Sequence, residues 1–397
     1  MRTSTPTLLR AALGAAVAAA LVACSSSGGS RGSGDAAAEG GSSESTAAAD
    51  VVYPGATWAT ADPASLGFDQ AKLDEIAAQA QQANSNCLVV TRHGKLAAGW
   101  YWNVTDASSS QEVFSATKSY ASTLVGIAQA DGKLSIDDKA SEYITAWQGT
   151  PSEDVTIANL ISNDSGRTLS AGVDYTQLPY APDMDSLAIG LQQEAAPGSK
   201  WGYNNSAIQT LDAVLRSAVG GDVATYAQDK LLGPLGMAHS HMSTDAAGNT
   251  KLFMGLQSTC EDMARFGYLF LRGGNWDGDQ VVPEDWVTAA TGHPSQDLND
   301  AYGYLWWLNR PGTVVGPLQA TTGQAGDAAE DTQLVPGAPE DMYFALGLGN
   351  QIIAVDPGTD TVVVRLGRGL GARGGGPSFD TAAATRVVTE ALVDPSK

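Results

Sequence analysis

Basic residues are scarce in this chain: 22 Lys and Arg stand against 43 Asp and Glu, a formal charge of −21 over 397 residues. With no basic stripe to neutralise phosphates, a nucleic-acid partner is excluded and a polyanionic substrate is disfavoured. Histidine is rarer still. His93, His239, His241 and His293 are the only four, and none lies near a G-x-S-x-G elbow, so a Ser/His/Asp triad has little to be built from. His239 and His241 alternate in a loop after Met237, and two ligands without a third do not make a zinc site. No metal and no cofactor are expected. Internal repeats are lacking. So is a transmembrane run, because the apolar stretch Ala11 to Val22 is too short and too alanine-rich to span a bilayer. What remains, a chain 43% hydrophobic, suits one large α/β unit carrying an insertion and an ample core.

The first residues read as a targeting segment. Arg2 and Arg10 supply a positive start to the apolar stretch. Leu21-Val22-Ala23-Cys24 follows and resembles the lipobox of bacterial lipoproteins, which implies a lipidated Cys24; an ordinary secretory signal cleaved nearby is the alternative. Either reading takes the protein out of the cytoplasm, and the lipobox reading anchors it to the extracytoplasmic face of the membrane. Residues 25–50 are almost wholly Ser, Gly, Ala, Asp and Glu. Such a stretch buries too little apolar area to offset its ordering entropy and reads as a flexible tether. The expected organisation is a signal over 1–24, the tether over 25–50 and a folded domain over 51–397. Cys87 and Cys260 remain, either as a disulfide favoured by an oxidising compartment or as two buried thiols.

Within the domain, Phe68 to Gln82 carries apolar residues at helical spacing. Cys87 to Arg92 and Leu96 to Trp102 read as strands around a His93-Gly94-Lys95 turn. A helix opens at Ser115 and stops at Asp131-Gly132. Roughly 133–300 reads as helical patches between loops. Strand character returns at Tyr304 to Leu308, Met342 to Leu346, Gln351 to Val355 and Thr361 to Leu366, before a last helix over Asp380 to Val393. Strands at both ends with helices between them predict an α/β (α+β) sheet flanked by helices, with an inserted helical lobe over 133–300 and a ligand cleft between the two.

The chemistry concentrates in Ser115-Ala116-Thr117-Lys118. Residues three apart on a helix are neighbours, so this spacing sets a hydroxyl beside an amine. A lysine made neutral by burial can take the serine proton and turn a weak nucleophile into a strong one. Lys118 is the only lysine in the chain with a serine three positions before it. The second element is Tyr203-Asn204-Asn205, preceded by Pro197-Gly198. A tyrosine beside a lysine can shuttle a proton to the leaving group, and Asn205 can hold the lysine and a substrate amide. Tyr101-Trp102-Asn103 also fits Y-x-N but reads as a strand face.

These motifs resemble the S-x-x-K serine hydrolases related to class C β-lactamases, penicillin-binding proteins and esterases. The resemblance runs over roughly 60–395 and includes Asp131 to Asp138, Val155 to Gly166 (with Asn163 where histidine is usual), Leu232 to Met237 and Asp262 to Gly267. It implies a β-lactamase/transpeptidase-like fold with a mainly antiparallel sheet. The family's K-T-G or H-x-G strand is replaced by Leu346-Gly347-Leu348-Gly349-Asn350-Gln351, similar to the 6-aminohexanoate-dimer hydrolase branch. The missing cation argues against β-lactams and for a small neutral or cationic ester or amide. Backbone N–H groups of Ser115 and Leu348 would form the oxyanion hole, beside Gly347. Whether Lys118 or Tyr203 is the base stays open, as do a D,D-peptidase and a non-catalytic peptidoglycan- or β-lactam-binding lipoprotein. Tyr175 and Tyr180 are expected to border the cleft. Trp306 and Trp307 alternate along a strand, so only one can face it. Gly323 to Asp341 reads as a mobile loop over the site or a plain solvated excursion. A monomer is expected.

Overall fold

Strands from the two ends of the folded domain meet in one sheet. The computed structural model describes residues 51–317, 328–368 and 378–397; Cys24, the signal and the tether lie outside them. Six strands build the main sheet: β1 (Ser85–Arg92), β2 (Lys95–Tyr101), β3 (Trp307–Leu308), β4 (Tyr343–Gly347), β5 (Gln351–Asp356) and β6 (Thr361–Gly367). Their order is β2-β1-β6-β5-β4-β3, and every pairing is antiparallel. β5 and β6 are buried at every residue, which is why they read as continuous apolar runs and not as alternating ones.

Helix Gln70–Gln82, capped by Asp69, packs against β1, and Thr381–Arg386 packs against β5 and β6. The last helix expected over Asp380 to Val393 is regular only to Arg386 and widens into a π-turn over Val387–Ala391. Helix Cys260–Leu271 also packs on β1, β5 and β6. A Cβ on its Gly267 would meet Val362 at 2.7 Å, so this helix needs glycine there to seat on the sheet. It therefore belongs to the sheet layer, although it falls inside the stretch read as the inserted lobe. A disulfide joins Cys87 on β1 to Cys260 at the start of this helix.

The strand expected over Tyr304 to Leu308 shrinks to Trp307–Leu308. Leu305 adopts a left-handed φ of 58° and is held there by Ile161 and Ser119, so the chain turns before pairing begins. The alternation of the two tryptophans holds. Trp306 is fully buried against Phe266 and Phe270, while Trp307 lies beside Trp201 and Tyr203. Part of the expected Gly323 to Asp341 loop lies outside the described residues. Its later portion forms a strand, Ala329–Thr332, paired with Gly312–Val314.

Candidate active site

Ser115 does not begin the helix as a cap. It sits in a 3-10 turn over Phe114–Ala116, and the α-helix proper is Thr117–Ala130. Phe114 carries a φ of 50°, a conformation that bulky residues avoid and that tight tertiary contacts must hold in place. The carboxylate of Glu112 supplies one such contact by accepting the Phe114 N–H at 2.9 Å. The helix that follows is buried from Thr117 to Ala128. An apolar helix buried on every side is a central one, and it carries Lys118 into the interior with 1% of its surface exposed.

Lys118 Nζ lies 2.9 Å from Ser115 Oγ and donates to the Phe253 carbonyl at 2.8 Å. It also stands 4.6 Å from the centroid of the Tyr203 ring. Burial holds the lysine well below its ordinary pKa, and the negative charge of Asp174 opposes that shift. Tyr203 moves the other way. Burial raises the phenol, and Ser115, as a hydrogen-bonding neighbour, draws it partly back. An amine pushed toward neutrality and a phenol pushed away from ionisation make the lysine the group suited to take a proton.

Tyr203 is placed by its neighbours in sequence. Asn204 caps helix Asn205–Gln209 by accepting the Ala207 N–H, and its amide donates to the Arg167 and Thr168 carbonyls. Asn163 ends helix Ile157–Ser162 at a left-handed φ of 62° and accepts the Asn204 N–H. That conformation suits asparagine. Asn205 departs from expectation. It does not hold Lys118: its Nδ2 donates to the Asp174 carbonyl at 3.2 Å, and its buried Oδ1 has no hydrogen-bond partner. The Phe253 carbonyl accepts from the lysine instead.

β4 runs close to the Ser115 turn. A Cβ on Gly347 would lie 2.1 Å from the Val113 carbonyl oxygen, so only glycine permits this approach. β3 pairs with β4 only at Tyr343 and Phe344, which leaves the Gly347 end of that edge beyond the register. Ser115, Tyr175, Tyr203, Trp307, Leu334, Leu346, Gly347 and Leu348 line a cavity of about 260 Å³ with Gly316 and Pro317. None of these ten lining residues is charged. Tyr175 is among the cavity's lining residues; Tyr180 is 80% exposed and is not.

The rival elements lie apart. His239 and His241 are exposed, and among the described residues no three His, Cys, Asp or Glu converge as metal ligands. His93 contacts Asp360 at 2.9 Å, but Arg272 holds the same carboxylate, and among the described residues no serine hydroxyl joins the pair. Three contributors escaped the sequence reading: Glu112, Asp174 and the Phe253 carbonyl. Glu112 stands three residues before Ser115, where its reach to Phe114 was open to notice. Asp174 and a main-chain oxygen carry no local signal.

A family description, beta-lactamase, matches residues 73–383. The chain belongs to the beta-lactamase family. A beta-lactamase of Pseudomonas fluorescens is 29% identical over 136 residues, spanning 33% of this chain and 36% of that relative. An uncharacterised protein of Alkalihalophilus pseudofirmus is 23% identical over 242 residues, 52% of this chain and 66% of its own length. Among solved structures, a 6-aminohexanoate-dimer hydrolase homologue from Bacillus anthracis superposes with a TM-score of 0.59 at 20% identity, covering 73% of this chain and 75% of that one. A penicillin-binding protein homologue from Pyrococcus abyssi gives 0.61 at 17% identity, covering 82% and 78%. Likeness at these identities establishes the fold, a β-lactamase/transpeptidase-like sheet with flanking helices.

Proposed function

We propose that the protein hydrolyses an uncharged ester or amide through an acyl-enzyme on Ser115. The observation that carries this reading is the buried Lys118 amine 2.9 Å from the Ser115 hydroxyl at the wall of the cavity. Neutral Lys118 takes the proton as Ser115 Oγ attacks the carbonyl carbon. The N–H groups of Ser115 and Leu348 receive the developing oxyanion. Tyr203 passes its proton to the leaving group as the carbon–leaving-group bond breaks, and the Lys118 ammonium returns a proton to the phenolate, which leaves the amine neutral again. Water then attacks the acyl-enzyme, Lys118 taking its proton, and the carboxylic acid departs as Ser115 regains its hydrogen.

The lining supports the substrate class. Aromatic and aliphatic side chains surround the acyl position with no cation among them, so a substrate carboxylate would lose its hydration without a partner. A chromogenic panel tests this: p-nitrophenyl acetate and butyrate turn over, Ser115→Ala abolishes that turnover, and carboxylate-bearing cephalosporins and D-Ala-D-Ala peptides are poor substrates. Undiminished ester turnover by Ser115→Ala places the nucleophile elsewhere.

We propose further that the chain is exported and tethered through Cys24. The lipobox-like residues support this, and so does the Cys87–Cys260 disulfide, a bond that persists in oxidising compartments. Membrane fractionation of the wild type against Cys24→Ala tests it: release of the variant to the soluble fraction agrees, and identical fractionation disagrees.

A further inference from the structure

The turn that carries the second oxyanion donor is held from behind by a buried guanidinium. Arg365 lies on β6 opposite Ile352 of β5, and 3% of its surface is exposed. Its Nη1 donates to the carbonyls of Gly349 at 2.7 Å and Asn350 at 2.8 Å. Its Nε donates to Ser85 Oγ and its Nη2 to the Ala83 carbonyl. No carboxylate pairs with it among the described residues. The slot is shaped for the group: a Cβ on Gly367 would fall 2.1 Å from Nη1.

A buried cation answered only by neutral acceptors is an expensive feature, since removing a charge from water needs strong compensation. A side chain that merely joined two strands could be apolar. The acceptors indicate what the charge is for. Gly349 and Asn350 are both left-handed, at φ 80° and 59°, and Arg365 binds both of their carbonyls. The Leu348 carbonyl is held in turn by Gln351 Nε2 at 3.1 Å, and Gln351 Oε1 accepts the Gly367 N–H. Every carbonyl from Leu348 to Asn350 is thus fixed, so the turn is held as a unit, while the Leu348 N–H shares its peptide plane with Gly347, which pairs with Gln351 at the end of the β4–β5 register. The positive charge lies behind the same turn and favours negative charge at its front.

We propose that Arg365 is a positioning residue: it holds the turn that follows the Leu348 N–H, keeping that backbone in place at the oxyanion, and adds positive potential there. The proposal rests on the reading of Ser115 and Leu348 given above. Where the family strand usually carries Lys or His, this chain would draw its local positive charge from a residue two strands away.

The test compares Arg365→Met and Arg365→Lys with the wild type and with Ser115→Ala. The readouts are kcat and KM for p-nitrophenyl acetate and the Ki of phenylboronic acid, whose serine adduct is a negatively charged tetrahedral centre. Arg365→Met should lower kcat by about 10- to 100-fold, move KM by less than about threefold, and raise the boronate Ki in parallel. Arg365→Lys, which keeps the charge but loses the fork, should fall between them. It also serves as the test protein if the methionine variant does not fold. Wild-type kcat and boronate affinity in the folded variants overturn the proposal, as does a fallen kcat with unchanged boronate affinity. If Ser115→Ala keeps full turnover, the underlying reading fails instead, which separates the two.

Discussion

Glu112 grips Gly255, accepting its backbone N–H on Oε1 at 2.8 Å. The same oxygen accepts the Phe114 N–H, and Oε2 accepts from Gln257 Nε2. One carboxylate therefore fastens the turn bearing Ser115 to the segment whose Phe253 carbonyl holds Lys118. Glu112→Ala should lower stability by about 2–3 kcal/mol, the worth of hydrogen bonds to a charged acceptor. It should also cut ester turnover by about tenfold or more by loosening the pair. Glu112→Gln keeps an oxygen for both N–H groups and should retain most of each. Urea unfolding and steady-state rates on the same samples check both effects.

A lysine held well below its ordinary pKa gives a pH dependence of known sign. The neutral amine is the active form, so kcat/KM should rise with pH through an apparent pKa far below that of a free lysine. The raised Tyr203 phenol should cause no loss across the mildly alkaline range. Lys118→Arg, which cannot be deprotonated, should lose about a thousandfold or more in rate. A profile that rises only through the ordinary lysine value of 10.5 disagrees with the account.

Gly347→Ala places a methyl where the Val113 carbonyl stands, 2.1 Å away. β4 must then move back from the Ser115 turn. A shift of this kind should lower kcat by about 100-fold while costing stability about 1–3 kcal/mol. Stopped-flow acylation against thermal unfolding separates the two.

Away from the cavity, Asp185 and Asp212 form a buried carboxyl pair beside Gln209 and Arg216. Burial, then the charge of Asp212, pushes Asp185 up from 3.8 to about 8, and burial raises Asp212 as well. A folded-state pKa above the unfolded value stabilises fully below the unfolded range, and that contribution is lost as pH rises through the folded value. The Tm of the wild type should therefore fall relative to Asp185→Asn between about pH 4 and about pH 8. A constant difference between the two across that window contradicts the raised Asp185 pKa.

The legible parts were those written in local pattern. Helix Gln70–Gln82 announced itself through its apolar spacing, and β6 through the strand character of Thr361 to Leu366. Ser115 and Lys118 were visible because three residues on a helix are one face. The hidden parts depend on tertiary geometry. Asn205 had the right identity for a lysine partner, yet a backbone carbonyl of Phe253 took that place. The left-handed Phe114 and Leu305 shifted element boundaries that periodicity alone cannot place. Arg365 sat inside an apolar strand, and nothing nearby in sequence showed the turn it would reach.

The most direct measurement is trapping the covalent intermediate. The protein is mixed with p-nitrophenyl butyrate, quenched in acid within the first turnovers, digested and read by mass spectrometry. The account predicts one butyryl group, carried on the peptide containing Ser115 and absent from Ser115→Ala. An acyl group on another residue, or product formation with no adduct at any quench time and equal rates for both proteins, contradicts it.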